Sequence, residues 1–592
     1  MPLHAVGQSA AARLALSASM GLGCMSIVVF ALGVVQLFRS PWMYVLWAAL
    51  AAAAIPGLPG VGRELRAALR SDLSGCREPV CAVVVLLLVT LAVAALVPAL
   101  APPSMTDWDS LAYHLAVPRI YLKHGGIHYI SFTSHSNFPF LMEMLYVPGL
   151  SLGLPIASKL MHYWTGVLLV LLVGALAGER FGHRAGLLAA LGLASIPLVL
   201  WEAGTAYVDL AAALYTAAAV YYILQYQARP SSAVAVACGI AAGLAASTKM
   251  TALAVIPLLG VWMVIHGLAA QRRPNWRGAA ITVLIALAVC GPWYVKSIVY
   301  MGNPVYPFFY SVFGGRDWNA ELANNYSALQ AQFGVGRDLG AFLLAPYDLT
   351  FSSHRFYDTP GLYVGPLMLV ALPVLFVGLT RDRAATGLAC FIIAQYVIWF
   401  FLTQQSRYLI PVFGLASVLI AWTLYGGVRL RRSCKAVWVV FAFTALFGVW
   451  TLAPAIRQSA PFVFGLRTRD QYLERALDTY DAQRWMNRSL PADAAVALFG
   501  DTRGFYLDRR YVWADYGHNA EFSVRHRSAN AFADYLVRRG LTHAMVNYGF
   551  FPPRNAAKDN AALLYEAIDI DRLRRVYPPG DDDDRVVVYE IK

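Results

Sequence analysis

The sequence predicts a polytopic α-helical membrane protein that ends in a mixed α/β soluble domain. Three observations predict it. Of 592 residues, 58% are apolar and only 14% are charged, more apolar and less charged than a water-soluble chain. Apolar runs long enough to cross about 30 Å of hydrocarbon recur through the first 453 residues. Beyond about residue 465 the pattern turns to that of a soluble fold.

The runs fall at roughly 17–38, 42–57, 80–101, 158–177, 185–201, 206–226, 233–248, 251–268, 278–299, 361–379, 385–403, 408–426 and 436–453, about thirteen spans. The first has the length of a membrane helix and no obvious small-residue cleavage site, so it reads as a retained span. Pro139 and Pro148 break the segment 138–152, which reads as a helix lying at the membrane interface.

Arginine and lysine in short loops set orientation, because positive charge resists translocation. One set of loops holds Arg63, Arg66, Arg70 and Arg77; Arg180 and Arg184; Arg229; Arg272, Arg273 and Arg277; Arg381 and Arg383; and Arg429, Arg431, Arg432 and Lys435. The opposite short loops hold little beyond Arg39, Lys249 and Arg407. The basic set is therefore expected in the cytoplasm, with the amino terminus inside and, after an odd number of spans, the carboxyl terminus outside. Residues 1–453 form the transmembrane domain, with outer loops 102–157 and 300–360, and residues 454–592 form a linker and an outer α/β domain. The net charge of +13 follows largely from this asymmetry, which leaves little support for a nucleic-acid partner. All seven cysteines fall in spans or inner loops, so neither a disulfide framework nor a metal-ligand spacing is implied.

The first outer loop opens on Asp107-Trp108-Asp109, followed by Tyr113 and His114. From Ser110 to Leu122, apolar residues mix with Tyr113, His114 and Arg119, which suits a second interfacial helix. Later spans carry ionisable residues near one face: Glu202 and Asp209 around Gly204-Thr205-Ala206-Tyr207, Lys249 at a turn, Lys296 near a helix end, and Arg407 in Gln404-Gln405-Ser406-Arg407-Tyr408. Charges at such positions are costly and tend to face a cavity or a partner. Acids and bases converging on an outer cavity suit a transferase with a phosphate-linked donor: a carboxylate takes a proton and cations stabilise the leaving phosphate.

These residues resemble the GT-C membrane glycosyltransferases, and among them the bacterial group of the lipid A aminoarabinose transferase and the protein O-mannosyltransferases. The family's early Asp-Glu-x-x-Tyr motif is matched by Asp109-Ser110-Leu111-Ala112-Tyr113, with Ser110 in place of the second acid. Tyr207-Val208-Asp209-Leu210, Gly302-Asn303-Pro304-Val305-Tyr306-Pro307 and Arg407-Tyr408-Leu409-Ile410-Pro411 match further segments, over about residues 80–453. Two spans precede the one that leads into the acidic loop, where the family often has one. The resemblance implies a polyprenyl-phosphate-linked sugar donor and inverting transfer at the outer face to a glycan, lipid or protein acceptor. It implies Asp109 as general base, with Asp107, Tyr113, His114, Asp209, Lys249, Lys296 and Arg407 as substrate contacts.

Each residue also has a plainer reading. Asp109 fits a helix N-cap, and Asp107 a capping or solvated acid or one that raises its neighbour's pKa. Tyr113 and Arg407 fit interface anchors, while Asp209 and Glu202 fit ion-pair partners of Lys249 or Arg407. A divalent metal would have to draw on His114, His124, His128 and His135, but scattered loop histidines are more often structural, so no cofactor is assigned. A transporter or flippase of lipid-linked saccharides is the rival function; it predicts internal repeats and helices broken at mid-membrane. A non-catalytic scaffold is the second rival.

The aromatic loop 300–360 suits a sugar-stacking lid or an interfacial belt. In the carboxyl-terminal part, 467–490 reads as a helix starting near Thr468, 495–500, 542–548 and 585–591 as strands, 529–539 as a helix, and Asp581 to Asp584 as a solvated turn.

Overall fold

The computed structural model describes residues 8–75, 79–357, 362–378, 382–426, 431–514, 520–579 and 584–592. Arg77, Arg381, Arg429, Cys76 and Asp581 to Asp583, read above for topology, cysteine usage and the turn, lie outside these residues. The chain divides into two compact units. The first comprises Met1–Ala101, Pro139–Trp293 and Gln330–Val463; the second comprises Pro102–Phe138, Tyr294–Leu329 and Phe464–Lys592.

The first unit is a helical bundle, and the chain is a multi-pass membrane protein. Nine helices among the described residues are long and apolar enough to cross a bilayer. The pair His183–Ala194 and Pro197–Ala203, bent by 75°, makes ten when counted as one broken span; the residue before Pro197 takes an extended conformation as the proline ring requires. The remaining three expected spans are the helices Asp209–Ala228, Ser232–Thr248 and Leu367–Gly378, which are shorter or less apolar. Asp209–Ala228 is alanine-rich and buried along nearly its whole length, packed against Pro155–Phe181, Ser232–Thr248 and Ile410–Gly426. Enclosed by protein, it has little need of the bulky apolar surface that lipid selects.

Small residues bring helices close in the same way. Gly182, at φ +86°, ends Pro155–Phe181, and the chain returns as His183–Ala194 with Gly186 against Gly174 and Gly178. A Cβ on Gly186 would lie 2.8 Å from the Gly174 carbonyl oxygen. Gly186→Val is therefore expected to destabilise the bundle by about 1–3 kcal/mol through overpacking, read as a lower unfolding midpoint in detergent; an unchanged midpoint would contradict this packing.

The segment expected as an interfacial helix at 138–152 is instead the helix Leu141–Ser151, buried from Leu141 to Gly149. It packs on Ala10–Val34 and Pro155–Phe181. Apart from Glu143, itself buried, its covered side chains are apolar or aromatic, so it is stable only when covered by protein.

The second unit is built on a five-stranded sheet. Its strands are β1 (Ala495–Phe499), β2 (Arg510–Trp513), β3 (His543–Asn547), β4 (Leu573–Tyr577) and β5 (Val586–Ile591), in the order β2-β1-β3-β5-β4. β1 pairs in parallel with β2 and β3, and β5 pairs antiparallel with β3 and β4. Side chains alternate between faces. Ala495, Ala497 and Phe499 pack with the helices Ala529–Arg538 and Asn560–Asp569, whereas Val496 and Leu498 face Tyr480–Ser489. The helix expected over 467–490 is two, Arg469–Ala476 and Tyr480–Ser489, separated at the extended Leu477; Thr468 and Gln471 form a capping box at its start.

The second face of this sheet also receives Trp108, Ala112, Tyr113, Ile120 and Phe132. The expected interfacial helix at 110–122, a π-helical turn Ser110–His114 followed by Ala116–His124, thus lays apolar residues on the sheet. In the second loop, Met301, Tyr306, Trp318 and Leu322 form a buried cluster, and Asn303 ties the Gly302–Pro307 turn by donating to the carbonyls of Phe308 (2.9 Å) and Gly314 (3.0 Å).

Candidate functional site

The structure gathers the candidate residues into two groups, one in each unit. In the first unit, Asp209 opens the helix Asp209–Ala228 and Lys249 ends its neighbour Ser232–Thr248. A carboxylate at a helix N-terminus and an ammonium at a C-terminus each match the local end of the helix dipole. Lys249 Nζ donates to Asp209 Oδ1 at 2.5 Å. The Asp209 side chain is 3% exposed and that of Lys249 is 17% exposed, so the pair is partly desolvated.

Arg407 lies in the short 3₁₀ turn Ser406–Leu409, and its Nε donates to Gln405 Oε1 at 3.0 Å. Its guanidinium carbon is 5.2 Å from the Tyr207 ring centroid, 5.5 Å from that of Tyr408 and 6.0 Å from that of Tyr357. Lys249 Nζ stands 3.6 Å from the Tyr408 centroid. One tyrosine ring thus serves two cations, whose mutual repulsion its electron-rich face offsets. Asp209, Lys249, Arg407 and Tyr408 line a common cavity of about 40 Å³. Two cations against one carboxylate leave this cavity with one positive charge in excess, the electrostatic requirement of an anion site.

In the second unit the two acids of Asp107-Trp108-Asp109 diverge. Asp107 is buried, and its Oδ2 accepts from the Ser104 N–H at 3.1 Å. Asp109 is partly exposed. Its side chain makes no N-cap hydrogen bond; its Oδ2 instead accepts from Tyr113 Oη at 3.1 Å. The Tyr113 ring contacts His114 at 4.2 Å and stacks on His135 at 4.5 Å. Lys296 Nζ donates to the Ser136 carbonyl at 2.7 Å, joining a helix end to the backbone of the acidic loop. His124 stacks on His128 at 3.8 Å. Among the described residues no group of three or more His, Cys, Asp or Glu could hold a metal ion.

Trp108, between the acids, is clamped. Its Nε1–H donates to Thr502 Oγ1 at 3.0 Å, Phe550 meets it edge-on at 4.9 Å, and the Arg503 guanidinium lies 4.1 Å from its centroid. Arg503 is in turn held by Asp501 (2.5 Å) and Asp478 (2.8 Å), with no exposed side-chain surface. Burial by itself would lower its pKa, but the two carboxylates reverse this and hold it above the ordinary value.

The aromatic partners Tyr207, Tyr357 and Tyr408 and the Arg503 clamp were not among the expected site residues. Tyr207 and Tyr408 stand within the motif segments themselves. The signal for Arg503 is Asp501-Thr502-Arg503, charges directly beyond the apolar run of β1.

Comparison with solved structures places this architecture. The apo crystal structure of ArnT from Cupriavidus metallidurans superposes with a TM-score of 0.57 at 17% identity, covering 86% of this chain and 97% of that one. ArnT bound to undecaprenyl phosphate gives 0.53 at the same identity and coverage. The Archaeoglobus fulgidus oligosaccharyltransferase in complex with Zn and sulfate gives 0.51 at 15% identity, covering 78% of this chain and 68% of that one. The chain has the GT-C fold, a membrane-helix bundle followed by a carboxyl-terminal sheet domain. Residues 156–414 match a family model described as a domain of unknown function, DUF8201. No curated protein matches the sequence.

Proposed function

We propose that the protein is a membrane glycosyltransferase that moves a sugar, with inversion, from a polyprenyl-phosphate-linked donor to an acceptor at the outer face of the inner membrane. The observation that carries this reading is the cavity of Asp209, Lys249 and Arg407, cationic in sum and bordered by Tyr408, within a fold shared with ArnT, which has been crystallised with undecaprenyl phosphate. Lys249 and Arg407 neutralise the phosphate as the glycosidic bond breaks, and Asp209 holds Lys249 in place. Asp109 takes the proton of the acceptor hydroxyl, with Tyr113 orienting its carboxylate. Asp107, His114 and Lys296 shape the acidic loop around it. Hexosyl or pentosyl transfer both fit this chemistry. The acceptor is a glycan, lipid or protein.

The topology follows from charge. Gln227 lies at the opposite end of the helix that Asp209 opens, His266 and Arg383 line one cavity with it, and Arg180 pairs with Asp382 beside Arg383 (2.8 Å). We assign the arginine-rich end to the cytoplasm, the amino terminus with it, and the carboxyl-terminal domain to the periplasmic or extracytoplasmic side.

The phosphate contacts are tested with purified full-length protein and undecaprenyl phosphate, measured by native mass spectrometry. Arg407→Gln is expected to weaken binding by about tenfold or more, the value of one charge-assisted hydrogen bond. Lys249→Arg, which keeps the charge beside Asp209, is expected to lose less. Unchanged affinity in Arg407→Gln would remove the cavity from the donor site. The transporter reading draws on the 75° break at Pro197; it is favoured if the sugar crosses the bilayer still attached to its lipid.

A further inference from the structure

The helices Asp209–Ala228, Val255–Gln271 and Arg383–Leu402 enclose a second cavity, of about 280 Å³, at the end away from Asp209, Lys249 and Arg407. Its outer part presents Gln227, His266 and Arg383, and its deeper part is apolar, from Ile265 to Leu258 and Ala394. Two buried polar atoms on its wall have no hydrogen-bond partner, Trp262 Nε1 and Gln227 Oε1. Trp262 is 7% exposed, and a Cβ on Gly387, another wall residue, would lie 2.3 Å from its Nε1. The missing side chain lets the Gly387 backbone lie against the indole ring. Orphaned buried donors are costly, and this one belongs to a residue in the wall of a cavity that is both polar and apolar.

The charge around the cavity has one sign. Arg229, Arg272, Arg273, Arg277 and Arg383 are exposed near the ends of these helices, and among the described residues none of the five has an ion-pair partner. Acids at this end are already engaged: Asp382 by Arg180 and the N–H groups of Ala384 and Ala385, and Glu179 by the Ser9 N–H and Tyr221 Oη. The Gln227 amide lies 3.1 Å from His266 Nδ1; with Gln227 as donor there, His266 carries its proton on Nε2 and is a donor in turn. The cavity therefore offers donors and positive charge at its mouth and hydrocarbon-like walls within.

From this we infer that the cavity is a binding site for an anionic phospholipid of the leaflet bordering the arginine-rich end. The phosphate lies on Arg383 and His266, and an acyl chain runs inward along Ile265 and Leu258. Basic pockets between membrane helices recognise anionic lipid headgroups through this combination. A free anion would leave the apolar walls unmatched, and a zwitterionic lipid would bring a second positive charge against the arginines. The site is separate from the Lys249–Arg407 cavity and does not depend on the reaction proposed for it.

The test uses full-length protein in detergent, titrated with dioleoylphosphatidylglycerol or dioleoylphosphatidylcholine and followed by native mass spectrometry. The wild type is expected to retain the anionic lipid about tenfold better, the order that the Arg383 charge and its arginine-rich surroundings imply. The double variant Arg383→Gln, His266→Gln is expected to retain both lipids equally while undecaprenyl phosphate binding stays unchanged. Trp262→Phe keeps the ring beside Phe391 and removes only the N–H donor, so it is expected to lose several-fold of the anionic-lipid preference. Equal retention of the two lipids by the wild type overturns the assignment, as does full preference in both variants. Displacement of phosphatidylglycerol by excess inorganic phosphate identifies a free-anion site and also overturns it.

Discussion

Asp109→Asn is expected to reduce sugar transfer by on the order of 10²- to 10⁴-fold, the usual contribution of a general base, with folding intact. The substitution is nearly isosteric, and the Asn carbonyl oxygen can still accept from Tyr113 Oη, the contact Asp109 makes at 3.1 Å. What it loses is the ability to take a proton. The Asp109 side chain makes no capping hydrogen bond, so the substitution removes no helix cap. The measurement is mass spectrometry of glycolipids and surface glycans from a deletion strain complemented with wild type or variant. A wild-type glycan profile in the Asn strain would falsify the general-base role; a variant that fails to accumulate in the membrane would instead assign Asp109 to folding. Asp107→Asn provides the contrast, because that acid is buried and bonded to its own loop: its expected effect is on stability.

Arg503→Met is expected to destabilise the sheet domain by about 3–5 kcal/mol, the cost of leaving buried charges without their partner. Arg503 has no exposed side-chain surface and holds two carboxylates, one of them, Asp501, equally buried. Hydrogen exchange across β1 and β3 is the direct readout, and the effect is expected to spread to residues 104–114, because Arg503 also covers the Trp108 ring. Adding Asp501→Asn should recover part of the loss by removing a stranded charge. Wild-type protection in Arg503→Met would show that the clamp contributes little. If the domain loosens while residues 104–114 stay protected, Trp108 is held by its other contacts, Thr502 and Phe550.

Much of the fold is legible in sequence where one local property decides the outcome. The spans of Ala10–Val34, Pro79–Ala99 and Trp276–Met301 are long and apolar, and any such segment must satisfy its backbone as a helix within lipid. β1, β3 and β5 are recognisable as apolar runs because they are the inner strands of the sheet. β2 and β4 are its edges and carry arginine, as in Arg510-Tyr511 and Arg574-Arg575; a solvent-facing edge tolerates charge, so the apolar signal is absent. Leu141–Ser151 departs from the interfacial expectation for a related reason. Its composition admits either a membrane surface or a protein interior, and only the neighbours that cover it decide between them.

The candidate site divides along the same line. Asp109, Asp209, Lys249 and Arg407 stand out in sequence because charge at the margin of an apolar span is costly and rarely accidental. Their pairing is a different matter. That Lys249 bonds Asp209 across 40 positions, that Tyr408 serves both cations, and that Trp108 is clamped by a residue nearly 400 positions away depend on which helix ends and loops pack together. By itself the sequence determined the membrane class, the spans, the charge asymmetry and the separate sheet domain, since each follows from local composition and periodicity. Only the tertiary structure decided that Asp107 turns inward while Asp109 does not, and which aromatic rings stand beside the cations, because hydrogen bonds and cation–π contacts act over a few ångströms in space and leave no fixed spacing along the chain.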